Sequence, residues 1–308
     1  MTTARLPDDL TLLERGWLSS NNLLLHGAPG EGATLIDTGH SVHAAQTVAL
    51  VAHALGDAPL ARIVNTHLHS DHCGGNAALQ AAHPAMSVWI APGQADAVPG
   101  WDLDVLTYRT TGQRCDRFRH DGVLRPGDVL HAGTRAWDVL AAPGHDPDSL
   151  MLFDAQAGVL VSADALWQNG FGVVFPELDG LDAFDQVAEV LDLIERLDVR
   201  TVIPGHGPAF TDVGPALQRA RQRLSKFVAN PPLHARHAAK VLLKYHVMEE
   251  RQQALEDLLN WAEGTPLVIG TLARAGLHEP VRTSCQTLLT ELVASGALRI
   301  QQQEVHDV

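Results

Sequence analysis

Short apolar or alternating runs and longer segments of helical periodicity follow one another along this chain. The strand pattern covers two or three runs within 10–37 and recurs near 61–64, 87–90, 128–132, 135–141, 149–154 and 158–163. Helical periodicity runs from Ser41, as the capping residue, to about Leu55, from 76 to about Ala82, and through 182–197 and 212–229. Strands early and late in this order, with helices outside them, predict an α/β protein with a four-layered αββα sandwich rather than a doubly wound single sheet.

The composition changes at Asn230-Pro231-Pro232, where the alternating pattern gives way to a helical one. Amphipathic periodicity predicts helices at 234–245, at 249–262, from Thr265 onward and at 284–294, and a strand is expected at 297–301. We therefore predict a large α/β domain at 1–230 and a small, mainly helical domain at 231–308.

Composition and charge narrow the classes of function. The 308 residues carry a formal charge of −14 at pH 7, which argues against a general binder of nucleic acid, because such binding depends on Lys and Arg. No run approaches the roughly 18 consecutive apolar residues of a membrane span, so we expect no membrane attachment. The amino terminus has no apolar core of the kind a secretory signal needs, which predicts a cytoplasmic protein. Cys73, Cys115 and Cys285 are odd in number and far apart, which argues against a disulfide framework.

The most informative stretch follows the predicted strand at 61–64. Its sequence is Asn-Thr-His-Leu-His-Ser-Asp-His-Cys-Gly-Gly, so three imidazoles and one carboxylate lie within six residues, at His67, His69, Asp71 and His72. Nitrogen lone pairs and a carboxylate compete for the same positive partner, and a cation holds them together best. We interpret the cluster as a binuclear type of metal site. Cys73 beside it is interpreted as a small buried residue rather than a thiolate ligand.

Further donors are expected from distant segments with a similar local pattern. His145 follows the strand at 135–141 after a Pro-Gly turn, Asp164 ends the strand at 158–163, and His206 follows an apolar run and another Pro-Gly turn. Each of the three could also be a turn residue or a strand-end cap. Together with the first cluster they make seven candidate ligands, which chance explains poorly.

These motifs resemble the metallo-β-lactamase-fold hydrolase superfamily, in particular its glyoxalase-II-like and β-lactamase-like-protein-2-like branches, over roughly residues 8–230. The resemblance implies that the large domain at 1–230 is a catalytic domain. It implies that His67, His69 and His145 bind one metal, that Asp71, His72 and His206 bind the other, and that Asp164 joins both. By the same resemblance, Asp37 in an Asp-Thr-Gly turn is expected to orient a ligand imidazole from outside the ligand set.

The resemblance predicts an enzyme that binds two divalent metal ions. We expect these ions to be zinc, with iron or manganese as alternatives. A metal-bridged hydroxide would attack a carbonyl, with Asp71 orienting it, and no Gly-x-Ser-x-Gly motif offers a serine route. We expect hydrolysis of an ester, thioester, lactone or amide of a small acyl compound. Two alternatives remain open: a mononuclear iron sulfur dioxygenase, and a nucleic-acid-processing protein that acts through its carboxyl-terminal domain.

The segment after Asp164 is apolar, aromatic and glycine-rich. Trp167, Phe171 and Phe175 could form a hydrophobic substrate wall. Ordinary core packing explains Phe171 and Phe175 equally well. After His145 the chain reads Asp146-Pro147-Asp148-Ser149, where glyoxalase-II-like and persulfide-dioxygenase-like members tend to carry Thr, which weakens the case for a glutathione thioester.

The pattern of the carboxyl-terminal domain resembles the winged-helix tail of some members of this superfamily. A DNA-binding winged helix needs a basic recognition helix, yet 283–291 is nearly uncharged. We therefore expect this domain to pack against the rest of the chain or to form a homodimer, and we expect a small molecule rather than nucleic acid as the partner of the protein.

Overall fold

The computed structural model describes residues 4–28 and 30–308. The expectation about the amino terminus falls partly on residues 1–3, outside the described residues. The strands of the first part are β1 (Leu10–Leu13), β2 (Asn22–Leu25), β3 (Ala33–Ile36), β4 (Leu60–Val64), β5 (Ser87–Ile90), β6 (Gly122–Val123), β7 (Val129–Ala132), β8 (Arg135–Ala141), β9 (Leu150–Asp154), β10 (Val159–Ala163) and β11 (Thr201–Pro204). The helices are α1 (Ala44–Leu55), α2 (Ser70–Cys73), α3 (Asn76–Ala82), α4 (Tyr108–Thr111), α5 (Phe175–Asp179), α6 (Phe184–Arg196) and α7 (Val213–Ala229).

These strands form two sheets with different topologies. The first sheet has the order β1-β2-β3-β4-β5-β6, and its pairs from β3 to β6 are parallel. The second has the order β11-β10-β9-β8-β7 and is antiparallel except for the β10–β11 pair. Parallel neighbouring strands end at the same edge of a sheet. The loops after β3 and β4 therefore lie at one edge of the first sheet, and the loops after β10 and β11 lie at one edge of the second.

The main core lies between the two sheets. Its buried side chains come from both of them, for example Ile36 and Val64 from the first and Trp137, Leu152 and Val161 from the second. Trp137 is fully buried there. With α1, α3 and α6 as outer layers, this is the four-layered αββα sandwich predicted from the sequence, which is confirmed.

One helix start differs from its prediction. Ser41 does not cap α1, because a short 3-10 turn at Ser41–His43 precedes the helix and the side chain of His40 accepts the hydrogen bond from Val42 N. The expected capping role of Ser41 was therefore wrong. The end of the helix at Leu55 is as predicted.

The carboxyl-terminal part is mainly helical, as predicted, with a small sheet of order β12-β14-β13. Its elements are α8 (Pro231–Glu250), β12 (Gln252–Ala254), α9 (Leu255–Gly264), α10 (Pro266–Arg274), α11 (Val281–Ala294), β13 (Leu298–Gln301) and β14 (Glu304–Asp307). The helix expected at 249–262 starts later than predicted, because α8 continues to Glu250 and β12 comes before α9.

Residue contacts divide the chain into two compact units. One contains the chain up to Leu106 together with Arg114–Pro176 and Asp182–Leu224, and the other contains Ser225–Val308 with Thr107–Gln113 and Glu177–Leu181. The domain division at residue 230, the winged-helix interpretation and the homodimer stay predictions. Among the described residues, no helix has both the length and the apolar character that crossing a membrane requires.

Candidate metal centre

The seven candidate ligands all lie where strands end. His67 and His69 lie in the loop after β4, Asp71 and His72 lie in α2 directly behind that loop, and Asp164 follows β10 immediately. His145 follows β8, and His206 follows β11. Although these segments are far apart in sequence, the structure brings all seven side chains to one place.

The first group consists of three imidazoles. His69 Nδ1 lies 3.1 Å from His67 Nε2 and 2.9 Å from His145 Nε2. The second group consists of Asp71, His72 and His206, in which Asp71 Oδ2 lies 3.1 Å from His206 Nε2 and 3.8 Å from His72 Nε2. In both groups the candidate ligand atoms lie within 4.8 Å of one another.

Asp164 lies between the two groups. Its Oδ2 is 3.3 Å from His145 Nε2 and 3.5 Å from His72 Nε2, and its Oδ1 is 3.8 Å from His206 Nε2. One carboxylate therefore faces imidazoles of both groups. This is the position expected for a side chain that joins two cations.

The donor set fits divalent cations of the zinc type. Two ligands that each lie about 2.1 Å from a tetrahedral zinc ion are about 3.4 Å apart, and the separations in both groups scatter around that value.

His72 Nε2 is fully buried and has no hydrogen-bond partner, although two carboxylates lie just beyond hydrogen-bond distance. An unsatisfied buried nitrogen costs about 1–3 kcal/mol, and a coordinated cation would remove that cost.

Asp37 holds the ligand loop from behind. Its carboxylate accepts hydrogen bonds from Thr66 N at 2.9 Å and Thr66 Oγ1 at 2.8 Å, and it lies 2.8 Å from His72 Nδ1. With Nδ1 bound to this carboxylate, His72 presents Nε2 to the centre. His145 is oriented in the same way, because its Nδ1 lies 2.7 Å from the carbonyl oxygen of Val173.

Two glycines allow the ligands to approach closely. A Cβ at Gly205 would lie 2.2 Å from Asp164 Oδ1, and a Cβ at Gly172 would lie 2.4 Å from His145 Nδ1. No side chain fits at either position without moving a candidate ligand. Both glycines therefore belong to the site.

The electrostatics of the site suit cation binding. Burial, helped by the neighbouring imidazoles, lowers the pKa of His67 well below its usual range. Burial also lowers the pKa values of His69 and His145 to about 4. These histidines are therefore neutral at pH 7, which is the form that binds metals.

The carboxylates remain ionised despite their burial. Burial opposes their charge, but His72 and His206 lower the pKa of Asp71 and the pKa of Asp164 below the usual range. Burial likewise opposes the charged form of His72, yet Asp164, Asp37 and Asp71 together raise its pKa. Two buried carboxylates thus depend on positive charge at this site.

The three aromatic side chains that follow Asp164 differ in their exposure and in their distance from the candidate ligands. The ring of Trp167 lies 5.4 Å from that of His206, and its Nε1 donates a hydrogen bond to Asp164 Oδ1. The ring of Phe175 lies 5.0 Å from that of His69. Both are half-buried and could line a substrate site. Phe171 is only 2% exposed, which favours core packing for it.

Sequence reasoning did not place Trp17 or Asp146 at the site. Trp17 is 58% exposed, and its ring stacks on that of His206 with 5.7 Å between centroids. The sequence shows only a tryptophan next to Gly16, and the exposure of its ring is known from the structure alone. Asp146 is buried, which raises its pKa, and its Oδ2 lies 3.8 Å from His69 Nε2.

Asn21 was also missed, although it holds the loop that carries His206. Its Nδ2 donates to the carbonyl oxygens of Pro204 at 2.9 Å and Gly207 at 2.7 Å, and it is 5% exposed. We expect Asn21→Ala to lower the free energy of unfolding by about 1–3 kcal/mol, because both carbonyls lose their partner. It should also weaken metal retention. Urea denaturation and metal analysis measure the two effects.

The matched control for this prediction is Asn169→Ala, at an exposed position in the same unit. It should leave both quantities within about 0.5 kcal/mol of the starting protein, as is usual for surface changes. Equal effects of the two substitutions would contradict the role assigned to Asn21.

A further group of possible ligands lies in the second unit. His246, Glu249 and Glu250 at the end of α8 also place ligand atoms within 4.8 Å of one another. The His246 ring stacks on Trp261, with 3.9 Å between centroids. No role is assigned to this group.

An αββα sandwich with His and Asp side chains gathered at its strand ends defines a class of metal-binding hydrolases. A family model for the metallo-beta-lactamase superfamily matches residues 15–206. Because this match covers more than half of the chain, the protein belongs to the metallo-beta-lactamase superfamily. The resemblance identified from the sequence is confirmed.

Similar proteins are hydrolases of this superfamily. Acyl-coenzyme A thioesterase MBLAC2 of Homo sapiens is 30% identical over 156 residues, which are 48% of this chain and 56% of that protein. A hydroxyacylglutathione hydrolase of Synechococcus sp. (strain JA-3-3Ab) is 29% identical over 137 residues, 43% of this chain and 47% of that one. The chain thus spans about half the length of the curated relatives it matches.

A solved structure extends the likeness of fold to the whole chain. The crystal structure of a metallo-beta-lactamase family protein from Thermus thermophilus covers 99% of this chain and 100% of its own, with a TM-score of 0.59 at 20% identity. At this identity the comparison shows the fold alone.

Proposed function

We propose that this protein is a metal-dependent hydrolase that cleaves thioesters of small acyl compounds. The observation that carries the proposal is the convergence of five imidazoles and two ionised carboxylates from four separate chain segments. Thioesters are chosen among the acyl compounds because both curated relatives named above act on acyl derivatives of a thiol carrier, coenzyme A or glutathione.

The residues that would hold the metals follow from the two groups. His67, His69 and His145 would bind one divalent cation, Asp71, His72 and His206 the other, and Asp164 both. When bound, such cations supply Lewis acidity, which lowers the pKa of a coordinated water and polarises a carbonyl. We propose zinc, because imidazole and carboxylate ligands without a thiolate suit it and hydrolysis needs no redox change.

The chain's own groups would orient and select the reactants. Asp71 stays ionised, so its carboxylate can accept a hydrogen bond from the attacking water and hold it toward the acyl carbon. Trp167, held by its hydrogen bond to Asp164, and Phe175 beside His69 would contact the acyl group. The exposed ring of Trp17 would extend this surface on the His206 side.

Metal analysis and a substrate panel test the proposal together. The purified protein should contain about two equivalents of zinc, with iron and manganese measured in parallel. The panel comprises an acyl-coenzyme A, an S-acylglutathione, a lactone and a β-lactam. We expect thioester cleavage to exceed the other reactions, and chelation of the metal to abolish it. Absence of thioester cleavage by fully metal-loaded protein would refute the substrate class, and iron-dependent oxygen consumption would favour the dioxygenase.

A further inference from the structure

Two cysteines meet beside the candidate metal centre. Cys73 Sγ lies 3.8 Å from Cys115 Sγ, although 42 positions separate the two residues in sequence. Neither forms a disulfide. Cys73 is the last residue of α2, the helix that also carries Asp71 and His72. No local pattern in the sequence pairs them.

The two thiols have different surroundings. Cys73 is fully buried, and its Sγ lies 3.4 Å from the carbonyl oxygen of His69, to which it donates. Cys115 is half-buried in a segment with exposed neighbours on both sides. That segment contacts the loop before α1, where Ser41 Oγ donates to the carbonyl oxygen of Arg114. Only Cys115 is therefore open to a solute, while Cys73 lies behind it.

We propose that Cys73 and Cys115 form an oxidation site that reacts with hydrogen peroxide and switches the neighbouring centre off. The Cys115 thiolate attacks a peroxide oxygen, which gives Cys115 sulfenic acid and hydroxide, and the hydroxide takes up the thiol's proton to leave as water. The Cys73 thiol then displaces a second water and forms the disulfide. In sum, two thiols lose two electrons and two protons to one peroxide, which becomes two waters.

The link from this disulfide to the centre is geometric. A disulfide needs its sulfur atoms about 2.05 Å apart, so the two must approach by about 1.8 Å. Any share of this movement taken by Cys73 is transmitted to His72, its neighbour in the chain, and Cys73 also loses the proton that it donates to the carbonyl of His69. Misplacing a catalytic constellation by about 1 Å can cost roughly 100-fold in rate.

The third cysteine provides a control within the same chain. Cys285 lies in α11, in the other compact unit, and is fully buried. Burial raises the pKa of its thiol to about 11. It should therefore react slowly with peroxide and remain a thiol throughout the experiment.

Counting thiols after peroxide treatment tests the proposal without any substrate. The metal-loaded full chain is treated with hydrogen peroxide and then unfolded in the presence of N-ethylmaleimide, which alkylates free thiols. Its mass is measured by mass spectrometry. Untreated protein should carry three alkyl groups, one for each cysteine. Oxidised protein should carry one, on Cys285, with the peptides of Cys73 and Cys115 cross-linked. Three groups after peroxide treatment, or a cross-link to Cys285, would overturn the proposal.

The effect on activity rests on the proposed function and is measured separately. Oxidation should lower thioester cleavage at least about tenfold, and a dithiol reductant should restore it. Cys115→Ser should keep the activity of the reduced protein and lose its sensitivity to peroxide, while Cys285→Ser should keep both. Cys73→Ala should lose the sensitivity as well, if it folds. A complete disulfide with unchanged activity would refute the switch, whereas a chain without hydrolase activity would leave the thiol count as an independent test of the oxidation site.

Discussion

His69→Ala is expected to abolish turnover and to lower the metal content of the protein. Its Nδ1 lies about 3 Å from both other imidazoles of its group, so its removal takes away the shared neighbour of His67 and His145. Loss of a group that only supports a ligand costs 10–100-fold in metal affinity or activity, and loss of a ligand should cost more than about 100-fold. Steady-state kinetics and elemental analysis of the same preparation measure both effects.

His53→Ala is the matched control for that substitution. His53 is exposed on α1, and its removal should change neither metal content nor rate. Urea denaturation of both variants shows whether either has lost its fold. A His69→Ala protein with full activity would refute the assignment of the first group.

Asp37→Asn should weaken metal binding about 10–100-fold while the chain stays folded. The Asp37 carboxylate lies within 2.9 Å of two donors of Thr66 and of His72 Nδ1, and an amide offers one acceptor where the carboxylate offers two. The His72 ring then loses the partner that fixes its orientation. Competition with a chelator of known affinity measures the change.

Asn is the informative replacement because of the backbone at this position. Asp37 has a φ of 56°, a left-handed conformation that Asn tolerates and Ala does not. Asp37→Ala would therefore add backbone strain to the loss of the carboxylate. Asp57→Asn, at an exposed position, is the control for the chemical change itself. Equal metal affinity in the Asp37→Asn and Asp57→Asn proteins would contradict the orienting role of Asp37.

Local sequence patterns predicted the strands well because periodicity is a local property. The predicted strands at 135–141 and 87–90 match β8 and β5 at both ends. Predictions about how elements begin were weaker. Ser41 was expected to cap α1, but His40 supplies the side-chain acceptor, since a 3-10 turn moves the start of the helix. In the same way, β12 separates two helices where the sequence suggested none.

The sequence by itself determined which side chains are candidate metal ligands. Apolar runs that end in His, Asp or a Pro-Gly turn fix which side chains stand at strand ends, and the spacing of His67, His69, Asp71 and His72 fixes the donor types. Only the tertiary structure decided which of these atoms meet. The position of Asp164 between both groups, the hold of Asn21 on the His206 loop and the contact of Cys73 with Cys115 depend on distances between remote segments. Strand order within each sheet and the packing of one sheet on the other set those distances, and no local pattern encodes them.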